Sequence, residues 1–453
     1  MSERGQLLER LRATVRPEEG CIPAFVYTHP AVYALELERI FQRSWLFVAH
    51  ESEIPAPGDY VTRHMGEQPV IVSRGEDGVV RVMLNVCRHR AMQVVRADCG
   101  NAAHFRCPYH GFTYASTGQL TGVPFQADAY GDTLDRSQIR LLQARVERYR
   151  GLIFATWDHE GESLDEYLGA MKWYLDLVVA RGEMEILGPP QRWTVPSTWK
   201  LPAENFVSDA YHTAYTHASL AKLDLVSSTG FGQAGYHVTA GHGHGLGIGI
   251  QHDGSQYPPE LHATFARYLS PDQLRILHQV KNLHGTVFPN LSVLIPSAVP
   301  VDGRLVSGTT LRLWQPRGPN RVEILSWCLV EKDAPDSWKA ASRTAYVQTF
   351  GTSGIFEQDD TENWEAQTRI SEALQPRGDD LVLNYRMGLG RPPLADFPGP
   401  GVVYEGKFNE ANARAFYREW LRCLLADDTG PPASEAAGGV TAPAAAAGRR
   451  RGP

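Results

Sequence analysis

The sequence predicts an α+β protein in which a small all-β domain is inserted before a larger domain of antiparallel sheet and surrounding helices. Three observations predict this fold class. Short β-branched and aromatic runs punctuated by Gly and Pro fill residues 45–157, a capping box opens a helical pattern at 163, and a strand-turn-strand unit occupies 311–330. We expect four parts along the chain: an N-terminal helical segment at 1–44 that packs on the larger domain, the all-β domain at 45–160, the larger domain at 161–427 and a disordered tail at 428–453.

Turn residues and apolar periodicity define the individual elements. The run GEDG at 75–78 predicts a hairpin turn inside the all-β domain. Ser163 and Glu166 form a capping box that starts a helix, and Gly182 ends it. The remaining expected elements, in chain order, are an amphipathic helix at 30–41, a helical segment rich in histidine at 203–220, a Gly-rich loop, and helices at 359–374 and 409–425.

Composition and charge argue against several classes of protein. The formal net charge is −7 and the isoelectric point is about 6.2, so the chain lacks the basic excess of a nucleic-acid-binding protein. No window of about 18 apolar residues occurs, and the first residues are too polar for a signal peptide. We therefore expect a cytoplasmic protein without a membrane segment. Reducing conditions disfavour a disulfide framework for the six cysteines, and metal ligation is the better explanation for any pair that lies beside histidines.

The most specific motif is a pair of short turns, each with one Cys and one His. Cys87 and His89 form the first, and Cys107 and His110 form the second. Two thiolates and two imidazoles could bind a zinc ion, or a [2Fe–2S] cluster with Cys on one iron and His on the other. Zinc fingers usually pair Cys with Cys and His with His, so the mixed pairing favours the cluster. Two residues between the turns belong to neither pair and are expected to be a spare thiol and a loop histidine: Cys99 and His104.

A second motif combines Asp209, His212 and His217. Residues five apart lie roughly 140° around a regular helix, so a perfect helix would not direct both imidazoles at one ion. We therefore predict a π-type bulge or another break near Ala214. Alone, two helical histidines are more often surface or hydrogen-bonded residues than ligands, so the motif gains weight only from a further ligand elsewhere.

The run FEQDDTENW at 356–364 could supply that ligand. Asp359 or Asp360 could complete a 2-His-1-carboxylate triad, which covers one face of Fe(II) and leaves the opposite face open. Both aspartates could instead cap and charge the first turn of the following helix, or each could serve one purpose.

Small and aromatic side chains flank these ligand motifs and are the expected lining of a substrate pocket. No Lys or Arg occurs at 203–220, so an uncharged aromatic substrate is favoured over an aromatic acid, which would require a cation. The expected lining residues are Phe206, Val207, Ala210, Ala214, Phe350 and Phe356.

Three segments together resemble the catalytic (α) subunits of aromatic ring-hydroxylating dioxygenases: CRHR…CPYHG, ENFVSDAYHTAYTH and FEQDDTENW. The runs GHGHGLGI, HGTVFPNLS and LRLWQPRGP further resemble the branch that acts on polycyclic aromatic hydrocarbons. The resemblance implies that the all-β domain is a Rieske domain, in which Cys87 and Cys107 hold one iron of the [2Fe–2S] cluster. The remaining ligands that it implies are His89 and His110 on the other iron, and His212, His217 and Asp360 on a mononuclear Fe(II).

The resemblance also implies how the centres work together. Asp209 would link His212 to His110 of a neighbouring subunit, so that electrons cross between chains, and Asn205 would lie close to the iron. A ferredoxin and a separate NADH-dependent reductase would supply electrons, and a small β subunit would complete an α3β3 assembly. The expected reaction adds both atoms of O2 to an aromatic ring and yields a cis-dihydrodiol. Two residues depart from the family pattern: Ala91 replaces a usual Gly, and Phe112 a commoner Trp.

No dinucleotide-binding fingerprint is present, which agrees with a separate reductase. The nearest run, GHGHGL at 241–246, has Leu where the third Gly should fall, and is expected to be a mobile loop near the pocket mouth or an ordinary surface loop. Two alternative functions stay open. One is a Rieske monooxygenase or hydroxylase on an aromatic acid, or a demethylase, with the same metals. The other is a zinc-stabilised interaction protein without enzymatic activity.

Overall fold

A computed structural model describes residues 2–223, 225, 232–251, 257–377 and 381–426. The expected disordered tail at 428–453 lies outside these residues. Within them, no helix combines the length and the apolar character needed to cross a membrane.

Short strands dominate the chain up to residue 156. Strands β2, β10 and β11 form one sheet, and β3–β6 and β7–β9 form two more, with antiparallel pairing throughout. The predicted turn at 75–78 joins β4 to β5 and is confirmed by the hydrogen bond from Gly78 N to Gly75 O, 2.8 Å. The strands are β1 Cys21–Pro23, β2 Leu46–His50, β3 Asp59–Met65, β4 Gln68–Arg74, β5 Val80–Leu84, β6 Cys99–Asn101, β7 His104–Arg106, β8 Thr113–Ala115, β9 Leu120–Gly122, β10 Arg145–Tyr149 and β11 Leu152–Thr156.

One large antiparallel sheet organises the second part. Its order is β12-β21-β20-β17-β16-β15-β14-β23, and β13 also pairs with β21. The predicted strand-turn-strand unit at 311–330 is the pair β20–β21. The strands are β12 Met184–Ile186, β13 Gln191–Val195, β14 Gly235–Gly241, β15 His244–Ile250, β16 Val280–Val287, β17 Leu291–Ile295, β18 Val299–Val301, β19 Arg304–Val306, β20 Thr310–Pro316, β21 Val322–Glu331, β22 Val382–Asn384 and β23 Val402–Glu405.

Helices surround this sheet, and the α+β expectation is confirmed. The N-terminal helix packs against the C-terminal one, and the latter covers β14 and β15. The helices are α1 Glu3–Thr14, α2 Pro30–Arg39, α3 Gln126–Tyr130, α4 Leu164–Leu168, α5 Met171–Val179, α6 Lys200–Ser208, α7 Thr213–Thr216, α8 Ala218–Lys222, α9 Pro259–Tyr268, α10 Pro271–Gln279, α11 Asp336–Phe350, α12 Ile355–Leu374 and α13 Ala411–Leu425.

The buried apolar side chains form two separate clusters. The larger one runs from α1 through β2, β11 and the large sheet to α13. The smaller one lies under the two Cys/His turns and includes Ile71, Met83, Phe105 and Leu141. The turns therefore have a small core of their own.

The helix predicted at 163–182 is two helices. The capping box is confirmed, because Ser163 Oγ accepts the Glu166 N–H and the Glu166 carboxylate accepts the Ser163 N–H. The helix stops at Gly169, whose φ of 43° lies in the left-handed region, and α5 starts two residues later. Apolar periodicity continues across the break, so it did not reveal that the helix ends there.

The run GHGHGL was predicted to be a loop, and this prediction was wrong. His242 and Gly243 make the tight turn between β14 and β15, and the rest of the run belongs to these strands inside the sheet. His244 is buried, its Nε2 lies 2.9 Å from the Tyr167 carbonyl oxygen, and its Nδ1 accepts the Phe288 N–H at 3.0 Å. The glycines permit close packing, because a Cβ on Gly245 would lie 2.6 Å from Asn412 Cγ on α13.

Candidate functional site

The two Cys/His turns have the same backbone hydrogen-bond pattern. The N–H of Cys87 donates to the Met92 carbonyl, and that of Cys107 donates to the Phe112 carbonyl, both at 2.8 Å. Both thiols are buried. Each turn therefore presents its cysteine from a rigid backbone that the short motif itself encodes.

Both turns end in a residue with a left-handed backbone. Gly111 has φ 74° and Ala91, the departure noted in the sequence, has φ 55°. An L-residue with a side chain pays roughly 1–2 kcal/mol for this conformation, whereas glycine does not. The first turn therefore carries a local strain that the second turn lacks.

Stacked rings surround the imidazoles of the turns. The ring centroids of His89 and His110 lie 4.5 Å apart, and Phe112 stacks on His89 at 4.8 Å with an interplanar angle of 8°. Phe112, the second departure from the family pattern, thus covers one face of an expected ligand. His110 is exposed, and its ring lies against that of Tyr109.

The donor set of the turns fits a metal cluster. Burial raises the pKa of the Cys87 thiol, and the Tyr114 hydroxyl lies 3.3 Å from its sulfur. His89 Nδ1 is buried and has no hydrogen-bond partner among the described residues. A lone pair without a proton donor in a buried place is what a metal ion would satisfy. Cys99 and His104 are exposed on β6 and β7, outside both turns.

The second group of ligand candidates comes from three segments of the chain. His212 precedes α7, His217 lies between α7 and α8, and Asp360 is the sixth residue of α12. His212 Nε2 and His217 Nε2 lie 3.2 and 3.3 Å from Asp360 Oδ1. Their candidate ligand atoms all lie within 4.8 Å of one another. The three side chains therefore converge on one point.

The helix is broken here, but not at the predicted position. Ala214 lies inside the single turn α7, and the breaks fall at Asp209 and at His217. Asp209 has ψ 85° and its Oδ1 accepts the N–H groups of Tyr211 and His212, at 3.1 and 3.2 Å. The side chain thus replaces the carbonyls that a continuing helix would offer, which ends α6 and starts α7.

Carboxylates hold the imidazoles from behind. Asp209 Oδ2 lies 3.2 Å from His212 Nδ1, and Asp359 Oδ2 lies 3.0 Å from His217 Nδ1. Such contacts fix the tautomer and leave Nε2 as the ligand atom. Asp359 and Asp360 do not cap the first turn of α12, because the helix begins at Ile355. The capping interpretation of the two aspartates was therefore wrong. Asn205 Nδ2 also lies 3.3 Å from His212 Nδ1.

The charge of this group also fits a cation. Asp360 Oδ1 is buried and has no hydrogen-bond partner among the described residues. Burial raises the pKa of Asp360, but the adjacent imidazoles of His212 and His217 outweigh it and hold that pKa well below its usual range. An ionised carboxylate and two imidazole nitrogens face one another at a distance suited to a shared ion.

A buried ion pair fixes α12 against the sheet. Arg312 Nη1 on β20 lies 2.6 Å from Glu357 Oε2, and Arg312 Nη2 donates to the Phe350 carbonyl at 2.7 Å. Sequence reasoning missed this pair, because the two residues are 45 positions apart in separate elements. It positions the helix that carries Asp360.

A cavity of about 620 Å³, open to solvent, lies beside this group. Four of the six side chains expected to line it do so, whereas Val207 and Ala214 do not: Val207 is buried, and its carbonyl accepts the Asn412 side-chain N–H at 3.0 Å. The lining residues are Asn205, Phe206, Asp209, Ala210, His212, Thr213, His217, Asn282, His284, Leu294, Pro296, Ser297, Phe350, Phe356, Asp360 and Lys407.

Lys407 is the one basic residue among the lining residues that the sequence did not indicate, apart from the neutral His284. The absence of Lys and Arg from 203–220 is correct, but this lysine enters the cavity from the segment that follows β23. Burial and the neighbouring Lys281 lower the pKa of Lys407 to about 8. The cavity therefore contains a cation from outside the segment 203–220 on which the preference for an uncharged substrate rested.

Comparisons with known proteins agree with this architecture. The profile of the Rieske [2Fe-2S] domain matches residues 44–143, and that of the ring hydroxylating alpha subunit (catalytic domain) matches residues 164–426. The chlorobenzene dioxygenase subunit alpha of Cupriavidus sp. (strain PS12) is 40% identical over 423 residues, which cover 89% of this chain and 91% of the relative. The N,N-dimethyl phenylurea N-demethylase subunit alpha of Sphingobium sp. (strain YBL2) is 35% identical over 435 residues, 90% of this chain and 93% of the relative.

A solved structure matches over nearly the whole chain. The crystal structure of naphthalene 1,2-dioxygenase from Rhodococcus sp. bound to indole superposes with a TM-score of 0.87 and 43% identity, and covers 94% of this chain and 98% of that one. The chain therefore belongs to the family of ring-hydroxylating alpha subunits, and it is an oxidoreductase with a Rieske [2Fe–2S] domain and a non-haem iron catalytic domain.

Proposed function

We propose that the chain is the oxygenase component that adds both atoms of O2 to an aromatic ring and forms a cis-dihydrodiol. One observation carries this proposal. His212, His217 and Asp360 converge on one point at the edge of a cavity that is lined by aromatic side chains. Relatives at 35–40% identity include a chlorobenzene dioxygenase alpha subunit.

The three converging residues would hold a mononuclear Fe(II). Iron in a 2-His-1-carboxylate site activates dioxygen on the face that the protein leaves open. The chain's own contribution is orientation: Asp359 and Asp209 hold the imidazoles through Nδ1, and Asn205 lies beside His212. Loss of such an outer contact typically weakens metal binding 10- to 100-fold.

The two turns would hold the [2Fe–2S] cluster, with Cys87 and Cys107 on one iron and His89 and His110 on the other. Two neutral imidazoles in place of two thiolates make such a cluster easier to reduce, which suits an electron relay. The proposal is supported by the buried thiols, the exposed His110 and the unpartnered Nδ1 of His89.

Asp209 would link the two centres, so that electrons cross between subunits. Its side chain is 44% exposed although Oδ2 contacts His212 Nδ1. An exposed carboxylate beside one ligand can accept a hydrogen bond from the exposed His110 of a neighbouring chain. We therefore propose that Asp209 bridges the two centres across a subunit interface.

The aromatic wall would position the ring of the substrate. Phe350 and Phe356 stack at 5.2 Å with an interplanar angle of 8°, and Phe206 packs edge-on against Phe350 at 6.4 Å. Apolar rings exclude water and hold a flat uncharged ring by area and edge contacts. Ala210 leaves space beside them, whereas Val207 and Ala214 have no part in this wall.

The proposed assembly needs other proteins. A ferredoxin, itself reduced by an NADH-dependent reductase, would deliver electrons, and a small β subunit would complete an α3β3 complex in the cytoplasm, where cysteine ligands stay reduced. Along the chain we propose the division given by the sequence, with the Rieske domain at 45–160, the iron domain at 161–427 and the segment 1–44 packed on the latter. No nucleic-acid partner is proposed.

A second candidate is a monooxygenase or hydroxylase on an aromatic acid, or a demethylase, with the same metals. The lysine in the cavity supports the acid substrate, and the relative at 35% identity supports the demethylase. The two candidates differ in the fate of dioxygen. A dihydrodiol carries both oxygen atoms, and a monohydroxylated product carries one. A demethylation consumes one oxygen atom, which does not stay in the demethylated product.

The test is a reconstituted assay with ferredoxin, reductase, NADH and ¹⁸O₂. A panel of aromatics would be analysed by mass spectrometry for dihydrodiols. We expect products with two labelled oxygens. Products with one labelled oxygen, or demethylated products with none, would establish the second candidate, and a colourless protein with zinc in the turns would refute both.

A further inference from the structure

The lining of the cavity includes two chemically different sets of residues. The aromatic end consists of Phe206, Phe350 and Phe356, and four polar residues of the large sheet and its connections also line the cavity: Asn282, His284, Ser297 and Lys407. We call these four residues the polar end. Asn282 and His284 lie two residues apart, on the same face of β16. Ser297 follows β17, and Lys407 follows β23. Three separate segments thus contribute these four polar residues to the lining of the cavity.

Lys407 is the charged member of the polar end. The residue is 3% exposed, and within the described part of the chain its Nζ has one hydrogen-bond contact, to Asn282 Oδ1 at 3.5 Å. Among the residues that the structure describes, no carboxylate oxygen lies within 4.0 Å of Nζ. A buried ammonium without an anion is costly, and proteins normally pair it.

The space around this ammonium is formed by neighbouring residues. A Cβ on Gly249 would lie 2.4 Å from Asn282 Oδ1 and 3.1 Å from Lys407 Nζ, so any other residue on β15 would displace both groups. Asn282 is itself held in place, because its Nδ2 donates to Ser297 Oγ at 3.2 Å. The position of the buried Lys407 ammonium is therefore defined by Gly249 and Asn282.

His284 cannot act as a second cation beside it. Burial and the nearby Lys407 lower the pKa of His284 to about 4, so its imidazole is neutral at about pH 7. Its Nδ1 lies 3.3 Å from the Phe206 carbonyl oxygen, which only accepts, so Nδ1 carries the proton. The one positive group of the polar end is Lys407, which stays largely protonated at this pH.

We propose that the cavity takes an aromatic carboxylate, whose ring lies against the aromatic end and whose carboxylate pairs with Lys407. This inference rests on the proposed function and names its substrate class. The ion pair would also fix the ring's rotation in the cavity and hence the edge that faces His212, His217 and Asp360. It replaces the uncharged substrate that the sequence alone favoured.

The experiment compares 2-naphthoate, naphthalene and methyl 2-naphthoate on the complete enzyme at about pH 7. Binding of 2-naphthoate is measured by titration calorimetry without ferredoxin or dioxygen, and kcat/KM is measured with the full electron-transfer chain. We expect the acid to exceed the hydrocarbon and the ester by about tenfold or more in kcat/KM, as a charged hydrogen-bonded pair provides. Benzoate and benzene, compared in the same way, show which ring size fits.

Lys407→Met keeps the length of the side chain and removes its charge. We expect naphthoate binding to weaken about 10- to 100-fold, and the ratio of kcat/KM for acid over hydrocarbon to fall by a similar factor. The matched control is Lys332→Met, at an exposed lysine outside the cavity, which should change neither quantity by more than about twofold. Visible absorption and iron content report that both variants are assembled.

Two results would overturn the proposal: equal use of the acid and its ester, or equal loss of naphthoate binding in the two variants. Failure of the proposed function gives a different pattern, in which no aromatic is oxidised by the iron-loaded enzyme while the calorimetric comparison still stands.

Discussion

The two metal-binding regions of this chain differ in how far apart in sequence their proposed ligands lie. The cluster turns would supply four ligands from two short motifs, each closed by its own hydrogen bonds over a small separate core. The iron site would take three ligands, two from the ends of α7 and one from α12, about 145 residues further along the chain. The first is encoded locally, and the second depends on the whole domain. Substitutions should therefore affect the two centres separately.

The largest expected effect comes from Asp360→Ala. Without its carboxylate the iron site loses its only anionic ligand, because the other two converging groups are imidazoles. Product formation should fall by more than about a thousandfold, since a catalytic metal contributes several kcal/mol. Iron content should fall by the mononuclear share, while the visible absorption of the cluster remains. Loss of the cluster with retained activity would contradict the separation of the two centres.

His89→Ala makes the reciprocal test. The cluster absorption should disappear while mononuclear iron stays bound, because the variant leaves α7 and α12 untouched. Turnover with ferredoxin should fall to background. His104→Ala, an exposed histidine between the turns, is the matched control and should keep the absorption spectrum. If both variants bleach the cluster equally, the assignment of ligands is wrong.

A smaller effect is expected one contact away from the iron. Asp359→Asn keeps the shape of the side chain but weakens its hold on His217 Nδ1. Iron affinity should fall about 10- to 100-fold with the cluster spectrum unchanged. Glu362→Gln, an exposed carboxylate on the same helix, controls for the loss of one negative charge. Equal iron affinities in the two variants would show that the contact between Asp359 and His217 does not contribute to iron binding.

The smallest effects concern the closing residues of the turns. Gly111→Ala should lower the free energy of unfolding by about 1–2 kcal/mol, because φ is 74° and a Cβ would lie 2.8 Å from Pro124 Cγ. Ala91→Gly removes the same strain but raises the conformational entropy of the unfolded chain. The free energy of unfolding should therefore increase by less than about 1 kcal/mol. Denaturant titration of the assembled protein measures both. A larger loss on Ala91→Gly than on Gly111→Ala would show that the turns are not equivalent.

Sequence reasoning succeeded where the determinants are local. The antiparallel α+β architecture, the turn at 75–78 and the capping box at Ser163 follow from short patterns, and the structure confirms them. Sequence reasoning failed where a side chain takes the place of a backbone hydrogen-bond acceptor, and where glycine allows two elements to pack closely. The break at Asp209 came from its own carboxylate, and two glycines of GHGHGL lie against α13, Gly243 in the turn and Gly245 in β15.

Contacts between residues of distant segments could not be predicted for a different reason. Lys407 lies about 190 residues after the histidine motif, and Arg312 is 45 positions before its partner Glu357. Nothing in the immediate sequence of either residue indicates the neighbour that it meets. The role of Asp359 was likewise hidden, because its value as a hydrogen-bond partner depends on where α7 lies in space.

Helix α12 carries Phe356, Glu357 and Asp360 within two turns, so one ring of the aromatic wall, the anchor to the sheet and the proposed iron ligand move as one body. A change of ring preference made through that helix would disturb the metal as well. The lining residues on β16 and after β23 are not among the proposed ligands. Descendants of this chain that acquire new substrates should therefore differ first at those residues, while the helix stays as it is.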